Sequence, residues 1–129
     1  MNKTMSDYQP GVCNIGTAEI ERRRRFGLAG TLIALALTLI MGALGVSDIF
    51  KILIFFPAVM GAIGLLQAYT KFCAAYGLSA VFNFDDKEFK TKPILEQQAI
   101  AADKRMAWDI IAKSMGIAII FTFLAIVLT

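Results

Sequence analysis

Histidine is absent from all 129 residues, and with it goes the commonest general base, metal ligand and haem ligand. The two cysteines, Cys13 and Cys73, are too few and too far apart for a zinc or iron–sulfur motif. The net charge is only +3, and no nucleic-acid partner is expected from it. Nothing in the chain assembles into a catalytic constellation, a metal-ligand cluster or a cofactor motif. No enzymatic activity and no cofactor are therefore expected.

What is there is apolar. Hydrophobic residues make up 57% of the chain and the mean hydropathy is +0.65, well above an ordinary soluble domain. They are concentrated in three runs. Phe26 to Val46 is 21 residues without a charge, Ile52 to Thr70 is 19, and Ile110 to Thr129 is 20 with Lys113 as the only charge. At about 1.5 Å per residue, each helix would come close to the roughly 30 Å hydrocarbon core of a bilayer. Three such runs in so short a chain disfavour a soluble core. The expected fold is an all-α integral membrane protein with three transmembrane helices.

The chain divides accordingly into residues 1–16, irregular and broken by Pro10, Gly11 and Gly16; 17–70, a basic helix and transmembrane hairpin; 71–109, a loop and amphipathic helix; and 110–129, the third span. Thr17 reads as a helix N-cap, with Glu19 and Glu21 in the favourable first turn and four residues ahead of Arg23 and Arg25. That charged helix runs on into the first span, about 26–46. Gly45 to Lys51 reads as a short connection, which forces an antiparallel hairpin with the second span, about 52–70. Pro57 predicts a kink near Leu53, because proline removes one helical hydrogen bond and clashes one turn back.

Gly30, Ala34, Thr38 and Gly42 place a small residue at every fourth position of the first span, and Gly61, Gly64 and Ala68 form a second such face. Small faces let two helix backbones approach closely in a bilayer. Gln67 and Thr70, polar and late in the second span, suit interhelical hydrogen bonds. Past the second span Gly77 is expected to end the helix, with Leu78 to Phe84 lying at the membrane interface, tucked against the bundle, in preference to a re-entrant segment. Asp85 to Lys92 reads as a charged loop. Pro93 suits a first helical position, and Leu95, Ala99, Ala102 and Met106 form an apolar face opposite Glu96, Gln97, Asp103 and Lys104. Trp108 falls at interfacial depth, and Asp109 and Lys113 are spaced for an ion pair, with Lys113 able to snorkel to the headgroups.

Twelve of the thirteen basic residues fall on one side of this arrangement: Lys3 and Arg22, Arg23, Arg24 and Arg25, then seven from Lys71 to Lys113. Lys51 alone lies on the other. The positive-inside bias predicts a multi-pass protein of the inner (cytoplasmic) membrane, with the N-terminus cytoplasmic and the C-terminus outside. Arg23-Arg24-Arg25-Phe26 also loosely resembles a twin-arginine export signal, with Ala43-Leu44-Gly45 as a cleavage site. The long apolar run and the second span directly after it favour an orientation anchor that also binds anionic headgroups. Cys13 and Cys73 fall on the same side, either as a redox pair or as two reduced thiols.

Asn14-Ile15-Gly16-Thr17, the arginines that follow, and then Pro57, Gly61, Gly64 and Tyr69 resemble a small two-helix bacterial inner-membrane domain that is also found fused to membrane rhodaneses. The resemblance covers residues 14–77. The family's second span carries a Cys-Pro-x-Tyr stretch. Here its cysteine position is Leu66, and Cys73-Ala74-Ala75-Tyr76 has the Cys-x-x-Tyr spacing seven residues later without the proline. The resemblance implies a helix hairpin that pairs with a partner and performs no catalysis.

Three functional readings remain open. The first is a non-catalytic accessory subunit of a larger membrane complex, or a self-associating scaffold. The second is a minimal oligomeric transporter or channel, whose polar path would have to come from Gln67, Thr70, Asp109 and Lys113. The third is a membrane anchor that docks a soluble enzyme through residues 85–108.

Overall fold

The computed structural model describes residues 8–84 and 91–129. Lys3, Lys87 and Lys90, and most of the charged loop expected over 85–92, lie outside the described residues. Three helices are long and apolar enough to cross a membrane: Thr17–Ala43, Asp48–Thr70 and Gln97–Leu128. The chain is a multi-pass, mostly helical membrane protein whose spanning helices contact the bilayer.

Helix α1 (Thr17–Ala43) runs unbroken from the charged segment into the first span. Gly16, not Thr17, is its N-cap, and no side-chain cap hydrogen bond is made among the described residues. A tertiary tie holds the start. The Gly16 N–H donates to the Asn83 carbonyl at 2.9 Å, while the Gly16 carbonyl accepts from Ile20 at 3.0 Å. At the other end the helix stops at Ala43 rather than Val46, and Gly45 at φ +64° turns the chain.

The stretch expected as a connection up to Lys51 is already helical. Helix α2 (Asp48–Lys51) leads through a turn of 3-10 helix (Ile52–Ile54) into helix α3 (Phe55–Thr70). The tightened turn lies where Pro57 cannot donate to the Leu53 carbonyl, the site expected to kink. Helix α3 ends at Thr70, not at Gly77. Lys71 takes a left-handed conformation at φ 58°, and Phe72 donates back to the Gln67 carbonyl at 3.1 Å. Gly77 lies instead inside a short helix α4 (Ala74–Ser79). A Cβ there would stand 2.8 Å from the Phe72 ring and 2.9 Å from the Asp103 carbonyl oxygen, so glycine is what lets α4 rest on the third span.

Strand β1 (Val81–Phe82) pairs antiparallel with β2 (Lys92–Pro93). Pro93 is therefore a strand residue rather than the first residue of a helix. The ladder continues through Ile94, whose N–H donates to Ala80 at 2.9 Å. Helix α5 (Gln97–Leu128) begins after Glu96 and runs 32 residues without a break. At about 1.5 Å per residue it is roughly 48 Å long, so about a third of it projects beyond a roughly 30 Å hydrocarbon core.

Helix α3 lies between α1 and α5. Ala34, Ile54, Ala58, Ala118 and Ala125 form a core near the far end of the bundle. Phe72, Ala74, Ala107 and Ile110 form a second core where α4 meets α5. Phe82, Phe84, Ile94 and Ala99 form a third with Tyr8 and Cys13. That last cluster gives the basic end a small packed cap. The segment expected at the interface, tucked against the bundle, supplies its two phenylalanines.

Candidate functional site

A cluster of buried polar groups gathers where the cap meets α1. Glu19 and Arg23 lie on the same helix face as Gly27, Gly30 and Ala34, so they extend the small-residue face of the span toward the basic end. The Glu19 carboxylate is 1% exposed, paired with Arg23 at 3.2 Å and Arg22 at 3.5 Å. The Tyr76 hydroxyl donates to its Oε2 at 2.6 Å. The Arg23 guanidinium lies 5.3 Å from the centroid of the Tyr76 ring, and its Nη2 donates to Cys73 Sγ at 3.0 Å. Burial, and then the bond to Glu19, raises the Tyr76 phenol above the ordinary tyrosine value.

Asn14 fastens the N-terminal segment to this cluster. Its Nδ2 donates to the Cys73 carbonyl at 3.1 Å, and its Oδ1 accepts from the Cys73 N–H at 2.7 Å. Gln67 Oε1 accepts from the Ala74 N–H at 2.8 Å, fixing the start of α4. Thr70 bonds only within its own helix, to the Leu66 carbonyl at 2.7 Å. Cys13 and Cys73 are both free thiols, not bonded to one another.

A second latch closes across the cap. Asp103 is fully buried and accepts from the Tyr8 hydroxyl at 2.5 Å and from the Gly11 N–H at 2.6 Å. Tyr8 also stacks on Phe82 with ring centroids 5.1 Å apart. Burial, followed by the bond to Asp103, raises the Tyr8 phenol well above its ordinary value. Asp103 thus belongs to the buried face of α5 with Ala99 and Ala107, and Leu95 is 82% exposed. The amphipathic face assigned from the sequence is rotated from the true one. Burying Asp103 is tolerable because two donors satisfy its oxygens.

The small-residue face falls in part on other partners than expected. A Cβ on Gly30 would lie 2.5 Å from the Gly61 nitrogen, and one on Gly64 would lie 2.6 Å from the Gly27 Cα. Gly27 and Thr31 therefore join Gly30, Ala34, Gly61 and Gly64 in the α1–α3 contact. Ala68 is buried on the same helix as Gly64. Thr38 bonds to the Ala34 carbonyl at 2.8 Å, and Gly42 faces Thr129 at the end of α5. Helix α5 carries its own face of small residues at Ala107, Ser114, Ala118, Thr122 and Ala125, all buried.

No family model, curated protein or solved structure matches this chain.

At the basic end the four arginines separate into two pairs. Arg24 and Arg25 pair with Glu21 at 2.5 and 3.6 Å on the exposed side. Arg22 and Arg23 turn to a cleft of about 460 Å³ that also touches α3, α4 and α5. A separate groove of about 350 Å³, lined by Ala58, Ala62, Ile117 and Phe121 among others, is almost wholly apolar. Trp108 is 60% exposed on α5, and Lys113 pairs with Asp109 at 2.8 Å, both half-exposed. Of the segment 85–108, residues 91–108 are described and form β2 and the first turns of α5.

Proposed function

We propose that this chain is a non-catalytic membrane scaffold, an accessory subunit of a larger membrane complex or a self-associating unit. Its place is the inner membrane, with the N-terminus and the packed cap in the cytoplasm and Thr129 outside. One observation carries the reading. Four buried polar side chains of the basic end tie the chain to itself: Asn14 to Cys73, Glu19 to Tyr76 and Asp103 to Tyr8 join distant segments, and Gln67 to Ala74 joins α3 to α4. A reactive site would hold such groups toward a substrate rather than toward the chain's own groups. Small-residue contacts between α1 and α3, and between α3 and α5, support a compact building block whose outer faces are left to lipid or neighbouring subunits. The likeness of residues 14–77 to a two-helix partner-pairing domain supports the same reading.

Blue-native electrophoresis from a mild detergent, at native expression, tests it. The expected result is a species well above the 14.1 kDa protomer and its detergent belt. A clean monomer overturns the scaffold.

A further inference from the structure

We propose that the cleft between α1, α4 and α5 is a binding site for one anionic phospholipid. The phosphate would sit on Arg22 and Arg23, and the first acyl carbons would lie along Phe26, Ile63 and Ile111. The inference goes beyond the scaffold reading and does not depend on it.

The cleft has the volume of a ligand site, about 460 Å³. Its lining changes character with depth. Arg22 and Arg23 stand at the level where the helix turns from charged to apolar, with Gln67 and Cys73 beside them. Phe26, one turn on from Arg22, opens the uncharged run, and Ile63, Leu78 and Ile111 continue the apolar wall. A phospholipid in the adjoining leaflet presents the same sequence of groups at the same depths.

The charge also fits. Arg22 and Arg23 both line the cleft, and no Asp or Glu does so among the described residues. Arg22 pairs with Glu19 at 3.5 Å, and its side chain is 61% exposed at the mouth of the cleft. Arg23 is 12% exposed, and its buried Nε has no hydrogen-bond partner among the described residues, while both terminal nitrogens are engaged. A guanidinium beside a phosphate oxygen forms charge-assisted bonds of the strong kind. Basic pockets between spanning helices at the cytoplasmic face are suited to such headgroups. The apolar groove on the other side of α3 has no comparable charge and would not select among headgroups.

Arg24 and Arg25 supply an internal control, since they carry the same charge near the same depth but do not line the cleft. The full chain is purified, exchanged into mixed micelles holding phosphatidylglycerol and phosphatidylcholine in equal amounts, and examined by native mass spectrometry. One phosphatidylglycerol is expected to stay on each protomer in preference to phosphatidylcholine. Arg22→Gln should lower that preference about five-fold, while Arg24→Gln leaves it unchanged. Ala75→Phe, at an exposed position on the cleft wall, should expel the lipid with no change of charge; it keeps the proposal falsifiable even if Arg22→Gln disturbs folding. Equal losses in Arg22→Gln and Arg24→Gln would mean diffuse surface attraction and overturn the site. Equal retention of both lipids would also overturn it, as would displacement of the lipid by millimolar inorganic phosphate, which would make the occupant a soluble anion.

Discussion

Two tyrosines close the cap in the same way, each donating its hydroxyl to a buried carboxylate: Tyr8 to Asp103 and Tyr76 to Glu19. Both phenols are raised above their ordinary value in the folded chain, chiefly by burial. In the unfolded chain a tyrosine ionises near pH 10. The contribution of both to stability is therefore complete below about pH 10 and is lost as pH climbs through the raised folded values. The Tyr8→Phe/Tyr76→Phe double variant should lose about 1–3 kcal/mol at pH 7, and its stability should fall less steeply than the wild type's above pH 10. Thermal melts of the detergent-solubilised protein across pH 7–12 measure both effects. Parallel slopes would mean that these hydroxyls do not couple to folding. Neither bond is visible in the sequence. Tyr8 and Asp103 lie 95 positions apart, and an aspartate next to Lys104 reads as solvent-facing until the chain fold puts two donors over it.

At the scale of elements, the α1–α3 hairpin depends on backbone-to-backbone proximity. A methyl on Gly30 would meet the Gly61 nitrogen at 2.5 Å and the Pro57 carbonyl at 2.9 Å, and neither can move without shifting a helix. Gly30→Ala should cost about 1–3 kcal/mol, as overpacking of a close contact does. Gly116→Ala, where no atom lies within 4 Å of the added methyl, should leave the melting temperature nearly unchanged. Equal effects from the two would remove the close-approach argument. This part of the fold was legible beforehand, because glycine and alanine at four-residue spacing are a local pattern. So were the pairing of Glu19 with Arg23 and Glu21 with Arg25, and the single helix running from the arginines into the span. The boundaries were less so. Thr17, Gly77 and Pro93 each carry a strong local preference for the role first given them, and each was overruled by a tie to a distant segment: Gly16 to Asn83, Gly77 against Asp103, Ile94 to Ala80. The small face of α5 could have been found. Ala99, Asp103, Ala107, Ser114, Ala118 and Thr122 keep close to the same period as α1, but Asp103 disguises it.

At the scale of the whole molecule, three spans are joined to a cap held by a small set of polar ties. The cap and the hairpin should therefore be separable. Asp103→Asn replaces one of two accepting oxygens with a donor and should raise amide hydrogen exchange across residues 8–16 about ten-fold, with the α1–α3 contact still protected. Hydrogen exchange followed by mass spectrometry resolves the two regions, and loss of protection in both together would show one cooperative unit instead. The candidate site was only half legible at this scale. The four arginines stood out at once, but which two of them face inward is decided by Glu21 on one side and by α4 on the other, and α4 was not foreseen. The order of these ties along the chain has a consequence for biosynthesis. A polypeptide is made from its N-terminus, so Tyr8 and Asn14 leave the ribosome long before Asp103 and Cys73 exist to receive them. Residues 8–16 are synthesised ahead of the partners that hold them, and a nascent chain stopped short of the third span can form the hairpin but cannot close the cap.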